Sequence, residues 1–530
     1  MRLILLTLYL LHIGVSLDEK PGFRVQVSQK GIDYVRDVLL PLATDAIKTA
    51  KISDTENRVD SPIGHITFKV YNAKVTEVDI SQTSVKLGSP SDVVATIQNA
   101  VLAVNADWHY RKDHWPNLSD HGRVEITASK ISINLDLRIG TTDKGEPHVT
   151  SESCTFDVGN VDVTFHGGWS WLYNLFSETL SDSLKEGIQG QTYKGLFQVC
   201  PLITDEVNND LNSILDTLEL QSDIDENCYI DYSLIQPPFV TKEALFVDGK
   251  GEIFDKSDPK ECPSPKQDMP ETVDSERMVT LWITEYMLNT AGYAYQTAGF
   301  LQYNLTSDDI PSDNPIKFKL TTEFFKFFVP DLNKAYPDKN LTLWIYATKP
   351  VLFNVNKAGV SGRAEGTITW LVHVNDTLVP AFTLDAQLDL CVNLSVQLGG
   401  KSDLYLDLIT VEPFIQLRSS NIGNFSISTL QTFLKFSRGI IKDFANSNLK
   451  HGIPLPAIDH VNFSGFDFQL DDGYIRIHSD IEYDPDDKVS AEREHHTLFE
   501  DGFKCEMKNK ESWKEIDDMI GSDFLKEMLA

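Results

Sequence analysis

Few side chains in this sequence have the types and spacing that catalysis or metal binding requires. The chain carries neither the G-x-S-x-G elbow of a hydrolase, nor an H-E-x-x-H zinc motif, nor a phosphate-binding P-loop. The acidic runs at 308–309 and 484–487 offer oxygen ligands of the kind that calcium prefers, but they lack the EF-hand spacing. His495 and His496 are adjacent, and we expect them in a solvated tail. The sequence therefore predicts no catalytic site, no metal site and no cofactor.

Cysteines and glycosylation sequons are the covalent chemistry that the sequence does offer. The six cysteines are widely spaced and form no C-x-x-C pair, which favours disulfide bonds in an oxidising compartment over a zinc site. They are Cys154, Cys200, Cys228, Cys262, Cys391 and Cys505. N-x-S/T sequons predict N-linked glycans, concentrated in the second half of the chain. The sequon asparagines are Asn117, Asn304, Asn340, Asn375, Asn393, Asn424 and Asn462.

The first residues are typical of a secretory signal peptide. Arg2 precedes an apolar run over 3–15, and Gly14 with Ser16 supplies the small residues of a cleavage site. The run is too short to span a bilayer well, and no later stretch approaches ~20 uninterrupted apolar residues. We therefore expect cleavage after Ser16 and a secreted, extracellular protein.

Length and charge narrow the class of protein further. The chain has 530 residues and a formal net charge of -31. This length predicts two to four domains. The acidic balance argues against nucleic acid, because binding to phosphates requires basic residues. It also argues against strong, purely electrostatic capture on anionic membranes.

Two strands and a helix between 131 and 218 organise the first half. Apolar and polar residues alternate over 131–139 and again over 161–165, and this period of two predicts strands with one exposed face. The period then changes to three or four over 171–188, which predicts a helix. Half-exposed strands of this kind are typical of an antiparallel sheet.

An earlier helix is predicted over 28–50, and Pro41 inside it should kink or interrupt it. Six prolines between 220 and 277 predict irregular structure and a domain junction there. Cys228 and Cys262 flank the middle of that junction and could close a loop. The four cysteines other than Cys154 and Cys200 allow three pairings, and the sequence does not choose among them.

The second half repeats the order of helix, sheet and helix. Helical spacing occurs over 287–300 and 430–444, with strand alternation over 382–408 and 466–477. We infer a tandem duplication of architecture. The stripe over 513–529 predicts a terminal amphipathic helix, which we expect to dock on the protein because its polar face is acid-rich.

Several short segments, taken in order, resemble the secreted lipid-binding family that includes bactericidal/permeability-increasing protein, lipopolysaccharide-binding protein, and the cholesteryl ester and phospholipid transfer proteins. The segments are 21–23, 31–34, 168–176, 230–234, 251–254, 288–291, 328–330 and 452–456. The resemblance implies an α+β fold: a boomerang of two tandem barrel-like domains, each a twisted antiparallel sheet around long helices, joined by a central sheet. It also implies a disulfide between Cys154 and Cys200, and a lipid-filled pocket in each barrel.

With this resemblance, the chain divides into five parts. We expect a signal peptide, an N-terminal lipid-binding barrel, a linker with the central-sheet region, a C-terminal lipid-binding barrel, and an acidic tail with a terminal amphipathic helix. Their predicted ranges are 1–16, 17–235, 236–277, 278–483 and 484–530.

The expected function is that of a secreted carrier or transfer protein for phospholipids or similar amphiphiles, with transient contact to membranes or lipoprotein particles. Each helix stripe that faces a sheet supplies candidate lining residues, although a filled core is the alternative for each of them. The candidates are Ile32, Val35, Leu39, Leu172, Leu175 and Phe176 in the first domain, and Met287, Leu288, Leu434 and Ile441 in the second.

Two other functions stay open. One is innate-immune recognition of microbial lipid such as lipopolysaccharide, for which only Arg111 and Lys112, with Lys48 and Lys51, offer local positive charge. The other is a structural or signalling adaptor that kept the fold and filled its pockets.

Overall fold

The computed structural model describes most of the chain between 20 and 497. The predicted signal peptide, the helix predicted over 171–188 and the terminal helix predicted over 513–529 lie outside the described residues. The described ranges are 20–52, 54–61, 64–88, 92–112, 118–168, 199–270, 272–310, 319–397, 403–455, 461–484 and 495–497. Among these residues, no helix combines the length and the apolar character needed to cross a membrane.

A six-stranded antiparallel sheet joins strands from both ends of the described chain. Its order is β10-β11-β1-β13-β22-β21. The strands are β1 (Phe23–Ser28), β10 (Phe239–Val240), β11 (Ala244–Gly249), β13 (Val279–Thr284), β21 (Val461–Asp471) and β22 (Tyr474–Tyr483). Val25 of β1 lies opposite Val247 on one side and Leu281 on the other. We call this the central sheet.

The proline-rich region over 220–277 is more regular than its composition predicts. It contributes β10 and β11 to the central sheet and also builds most of a separate three-stranded sheet. That sheet contains β8 (Gln221–Asp223), β9 (Cys228–Asp231) and β12 (Glu252–Asp255), in the order β12-β9-β8. These strands are short enough to lie between the prolines. Cys228 and Cys262, whose pairing the sequence left open, are both buried free thiols.

The N-terminal sheet is antiparallel, with β4 paired to β5 beside the main order β2-β3-β5-β6-β7. Its strands are β2 (Thr55–Ser61), β3 (Gly64–Asp79), β4 (Thr83–Gly88), β5 (Asp92–Lys112), β6 (Ser119–Thr141) and β7 (Pro147–His166). The alternation over 131–139 is part of β6, and that over 161–165 is part of β7. Both predicted strands are confirmed.

Helix α1 (Gln29–Thr49) packs against β3 and β4 of this sheet. It is one helix, so Pro41 does not interrupt it, and the alternative of a kink there stays a prediction. Pro41 and Asp37 are both exposed. Water can therefore bond the Asp37 carbonyl that has no N–H partner at Pro41, which lowers the cost of a proline inside a helix.

A short helical segment follows the N-terminal sheet and is tied to it covalently. The segment comprises α2 (Val199–Glu206), a π-helical turn (Val207–Leu211) and α3 (Asn212–Leu215). Cys154 in β7 is bonded to Cys200 in α2, with the two Cα atoms 5.6 Å apart, which confirms the disulfide that the resemblance implied. Cys391 is also disulfide-bonded.

The C-terminal sheet has the order β14-β15-β17-β18-β19-β20, with β16 on β17 and β23 on β18. Its strands are β14 (Gln302–Leu305), β15 (Leu341–Ala347), β16 (Leu352–Asn356), β17 (Gly359–Val374), β18 (Thr377–Gln397), β19 (Asp403–Ser420), β20 (Ile453–Pro454) and β23 (His495–Thr497). His495 and His496 lie in β23 and pair with β18, so their expected place in a solvated tail is wrong. Three residues are too few to show a strand period.

Among the described residues, four α-helices accompany the C-terminal sheet. They are α4 (Glu285–Thr297), α5 (Pro330–Ala335), α6 (Ser428–Phe436) and α7 (Arg438–Asn448), and two 3₁₀ turns cover Ser307–Asp309 and Phe324–Phe327. The helical pattern over 430–444 is thus two helices that meet at Ser437. The Ser437 hydroxyl donates a hydrogen bond to the Phe433 carbonyl, the kind of side-chain bond that competes with the helix backbone.

Buried apolar side chains form separate clusters along the molecule. The largest combines the central sheet, α4 and one end of the C-terminal sheet, and includes Phe23, Met287 and Val392. A second surrounds Phe325 and Trp370 at the other end of the C-terminal sheet. A third lies on the N-terminal sheet. The predicted α+β class, with antiparallel sheets packed against helices and joined by a central sheet, is confirmed.

Candidate functional site

Helix α1 is firmly held at its beginning. Ser28 caps it by accepting a hydrogen bond from the Gly31 N–H, and its own hydroxyl donates to the Arg277 carbonyl at 2.7 Å. Gly31 is buried so tightly that an added Cβ would lie 2.7 Å from the Met278 carbonyl oxygen. The Gln29 side chain donates to the Val85 carbonyl at 2.9 Å. These contacts fix the direction in which the helix leaves the central sheet.

The rest of α1 presents apolar side chains to the surface. Val35, Leu39 and Leu42 follow one another at helical spacing and are 40%, 49% and 50% exposed, and Ile47 is 36% exposed. Large apolar side chains at this spacing ordinarily face a core. We call the row of Val35, Leu39 and Leu42 the α1 face. A row of exposed apolar side chains on an anchored helix is a candidate surface for an apolar partner.

A cleft lies on the side of α1 away from the α1 face, between α1 and the turn that joins β3 to β4. Its volume is about 590 Å³. The lining combines apolar and charged side chains: Arg36, Asp37, Leu40, Pro41, Thr44, Asp45, Val78, Asp79, Ile80, Ser81 and Thr83. We call its apolar lining side chains the floor and its polar and charged ones the rim.

Charges on the rim are held in fixed positions. The Arg36 guanidinium donates to the carboxylates of Asp33 at 2.9 Å and of Asp37 at 2.8 Å. The Ser81 backbone N–H donates to Asp79 at 2.9 Å and lowers the pKa of that carboxyl below its ordinary value. The rim therefore carries both signs of charge at neutral pH, with acidic groups in excess.

The first-half lining candidates occupy different environments. Ile32 is half-buried and packs against the small cluster of Leu87, Val93 and Val240. Val35 and Leu39 belong to the α1 face. Leu172, Leu175 and Phe176 lie outside the described residues.

The second-half candidates divide between two clusters. Met287 and Leu288 on α4 are each 1% exposed within the large cluster, and the half-buried Ile441 on α7 packs against the same cluster. Leu434 on α6 is half-buried and packs against the cluster around Phe325. The structure thus brings three of the four together and places Leu434 apart from them.

Sequence reasoning named neither the cleft nor its floor residues Leu40, Val78 and Ile80 as part of a site. Val78 and Ile80 were visible in the sequence only as the continuation of a strand pattern, which carries no signal for a cavity. Among the described residues, no group of three or more His, Cys, Asp or Glu side chains is placed to hold a metal ion.

The sequon asparagines differ in accessibility. Asn393 is half-buried in β18, and its side-chain oxygen is buried without a hydrogen-bond partner in the described structure. Asn117 lies outside the described residues. The exposed sequon asparagines are Asn304, Asn340, Asn375, Asn424 and Asn462.

Comparison with known proteins gives consistent relatives over most of the chain. Bactericidal permeability-increasing protein of Sebastes schlegelii is 28% identical over 481 residues, covering 89% of this chain and 97% of that protein. Human (Homo sapiens) lipopolysaccharide-binding protein is 26% identical over 487 residues, covering 91% and 97%. Phospholipid transfer protein of Mus musculus is 25% identical over 490 residues, covering 91% and 94%.

A solved structure and two family models agree with these relatives. The crystal structure of lipopolysaccharide binding protein superposes with a TM-score of 0.57 at 25% identity, covering 88% of this chain and 100% of that one. Residues 31–218 match the N-terminal domain model of the LBP / BPI / CETP family, and residues 222–483 match its C-terminal domain model. Both halves of the architecture are thus accounted for, and the chain belongs to the LBP / BPI / CETP family.

Proposed function

We propose that this protein binds a phospholipid or similar amphiphile on the α1 face and carries it between surfaces. The observation that carries the proposal is the exposure of Val35, Leu39 and Leu42 on a helix whose first turn is fixed in place. Acyl chains lying along this row would remove it from water.

The energetics require no nucleotide or metal. An acyl chain gains about 0.8 kcal/mol for each CH₂ removed from water, so a chain of ~16 carbons gains roughly 12 kcal/mol. The chain is already sheltered in a bilayer. Its movement into an apolar site on the protein is therefore close to neutral, and the carrier acts without a catalytic step.

The proposal includes the other residues that the sequence predicts to line a lipid pocket. We also propose Leu172, Leu175 and Phe176 as lipid-contacting residues of the first domain. Leu434 and Ile441 keep part of their side-chain surface accessible for a second site. Met287 and Leu288 would contact a lipid only through a space beside their cluster.

Secretion, glycosylation and the expected partners belong to the same proposal. A disulfide such as Cys154–Cys200 persists in oxidising compartments, which supports an extracellular location. The exposed sequons support a glycosylated surface. The named relatives include a phospholipid transfer protein, which supports transient contact with membranes or lipoprotein particles. We retain the assignment of residues 1–16 as a cleaved signal peptide, and the net charge of -31 supports a protein without nucleic-acid partners.

Substitution on the α1 face tests the proposal. Leu39→Asp removes about half of the 1.5–3 kcal/mol that full burial of a Leu side chain gives and places a carboxylate against the acyl chain, so loading of a fluorescent phospholipid from vesicles should fall about tenfold or more. The matched control is Lys48→Asp, which places a carboxylate at an exposed position on the opposite side of the helix. We expect the control to load normally. Equal loading by both folded variants would remove the α1 face from the site.

Recognition of lipopolysaccharide is the second candidate, favoured by the similarity to lipopolysaccharide-binding protein. The sheet register places Arg58 and Arg111 on either side of Thr67, on the outer face of the N-terminal sheet. Vesicles of lipid A and of phosphatidylcholine, compared over a salt series, separate the two candidates. Preference for lipid A with steep loss in salt would favour recognition, because such binding relies on exposed charge.

A further inference from the structure

The edge of the C-terminal sheet carries an unusual pair of aromatic residues. Trp344 and Tyr346 on β15 are 41% and 38% exposed, and their ring centroids lie 6.1 Å apart. The next strand places Thr369 opposite Trp344 and Thr367 opposite Tyr346. Residues directly opposite in an antiparallel pair share one face of the sheet. Two large rings therefore stand on a face where their neighbours on β17 are polar.

The strand on the other side of β15 contributes a sequon asparagine to the same face. In the register of β14 with β15, Asn304 lies opposite Trp344, and Gln302 lies opposite Tyr346. Opposed Cβ atoms in such pairs are about 4.5–5.5 Å apart. Asn304 is exposed and begins the sequon that ends at Thr306. A sugar attached to Asn304 would begin within reach of the indole ring.

The end of β14 is fixed by hydrogen bonds. The Thr306 hydroxyl and backbone N–H both donate to the Asp309 carboxylate at 2.7 Å, and the Tyr303 hydroxyl donates to it at 2.6 Å. These bonds hold the residues on both sides of Asn304. They thereby support the register in which Asn304 lies opposite Trp344.

We propose that an N-linked glycan on Asn304 lies across Trp344 and Tyr346, with its first N-acetylglucosamine stacked on the indole ring. The C–H bonds on one face of a pyranose ring are weakly positive, and the face of an aromatic ring is negative. In the linking step, Asn304 Nδ2 bonds to C1 of the first sugar of a lipid-linked oligosaccharide diphosphate. The C1–O bond to the diphosphate breaks, the diphosphate keeps the electron pair, and the amide loses one proton to solvent.

Such a glycan would protect two features at once. It covers apolar ring surface that otherwise faces water. It also covers β14, which is the edge strand of the eight-stranded sheet. Edge strands have unpaired backbone groups that can pair with a strand of another molecule. The glycan on Asn304 thus acts as an intramolecular partner of the sheet edge.

A double-mutant cycle tests the contact. Full-length protein is secreted from a eukaryotic cell line with high-mannose glycans and trimmed by endoglycosidase to one N-acetylglucosamine per site. Peptide mass spectrometry measures occupancy of Asn304. The four proteins are the unmodified sequence, Asn304→Gln, Trp344→Thr and the double variant. We expect Asn304→Gln to lower Tm by about 2–4 °C in the Trp344 protein, the scale of one modest contact in a domain of this size, and to leave Tm unchanged in the Trp344→Thr protein.

Asn375→Gln is the matched control, because Asn375 lies in the turn between β17 and β18 and outside the strand register. Its effect should be the same in both backgrounds. Tyr346→Thr replaces Trp344→Thr in the cycle if the tryptophan variant is not secreted. An unoccupied Asn304, or equal loss of Tm in both backgrounds, would overturn the proposal. It would also be overturned if Trp344→Thr weakened binding to phosphatidylcholine vesicles without changing the effect of Asn304→Gln, since the rings would then contact membrane.

Discussion

At the scale of single residues, His478 in β22 is a buried titratable group whose pKa bears on stability near neutral pH. It is 2% exposed. Its Nδ1 lies 3.1 Å from the Asp274 carboxylate and 3.2 Å from the Thr280 hydroxyl, while Nε2 is buried without a partner in the described structure. Burial lowers the pKa of His478 below its ordinary value of 6.5, although the Asp274 carboxylate acts in the opposite direction.

This lowered pKa predicts a loss of stability in mild acid. Below about pH 6.5 the unfolded chain binds a proton at this position more readily than the folded chain, so the free energy of unfolding falls as pH falls through that range. Glu252 and Glu412 have raised pKa values from burial and change stability in the opposite direction at lower pH.

Comparison of the natural protein with His478→Asn isolates the contribution of His478 to the pH dependence of stability. Urea denaturation between pH 7 and pH 5 should give a smaller loss of unfolding free energy in the variant. Identical pH dependence of the two proteins would show that His478 does not titrate differently in the folded state.

Some residue-scale features had no sequence signal. The buried guanidinium of Arg24 donates to the Asp248 carboxylate at 2.5 Å and 2.8 Å, and the two residues are 224 positions apart. Local periodicity carries no information about such a pair. The α1 face, in contrast, was visible as a helical stripe through Val35 and Leu39, but periodicity does not tell an exposed apolar row from a packed one.

At the scale of elements, alanine substitution at two helix glycines is predicted to have opposite effects on stability. Gly292 in α4 packs so closely that an added Cβ would lie 2.1 Å from the Val351 carbonyl oxygen. Gly439 in α7 has no such neighbour within 4 Å. Alanine is favoured over glycine in a helix by about 1 kcal/mol. Crowding of a packed interface costs roughly 1–3 kcal/mol, which outweighs that gain at Gly292.

We therefore expect Gly292→Ala to destabilise the protein and Gly439→Ala to stabilise it by about 0.5–1 kcal/mol. Denaturant midpoints, compared at unchanged m-value, give the sign of the change in stability for each variant. The close contact of α4 with the strand region at Val351 would be contradicted if both variants were stabilised.

Long, half-exposed elements were the part of the fold that the sequence predicted best. β6 and β7 alternate over many residues, and α1 has more than five turns of consistent spacing. Short elements were missed, because β23 has three residues and β10 has two. The break between α6 and α7 at Ser437 was missed too, since the apolar spacing continues across it.

At the scale of the whole molecule, the central sheet connects the two halves. β1 from the start of the described chain pairs with β13, and β13 pairs with β22 from near its end. Such pairing over hundreds of residues cannot be read from local patterns. The family resemblance supplied it, and the pairing of Cys154 with Cys200 as well. For Cys228 and Cys262, which the resemblance did not cover, the sequence left the pairing open, and the structure has both as free thiols.

Native mass spectrometry of the intact, gently purified secreted protein tests the carrier proposal most directly. The account predicts added mass equal to one or more phospholipids or similar amphiphiles, released by organic solvent and much reduced in Leu39→Asp. A bare polypeptide in every preparation, which also takes up no lipid from phosphatidylcholine vesicles, would contradict it.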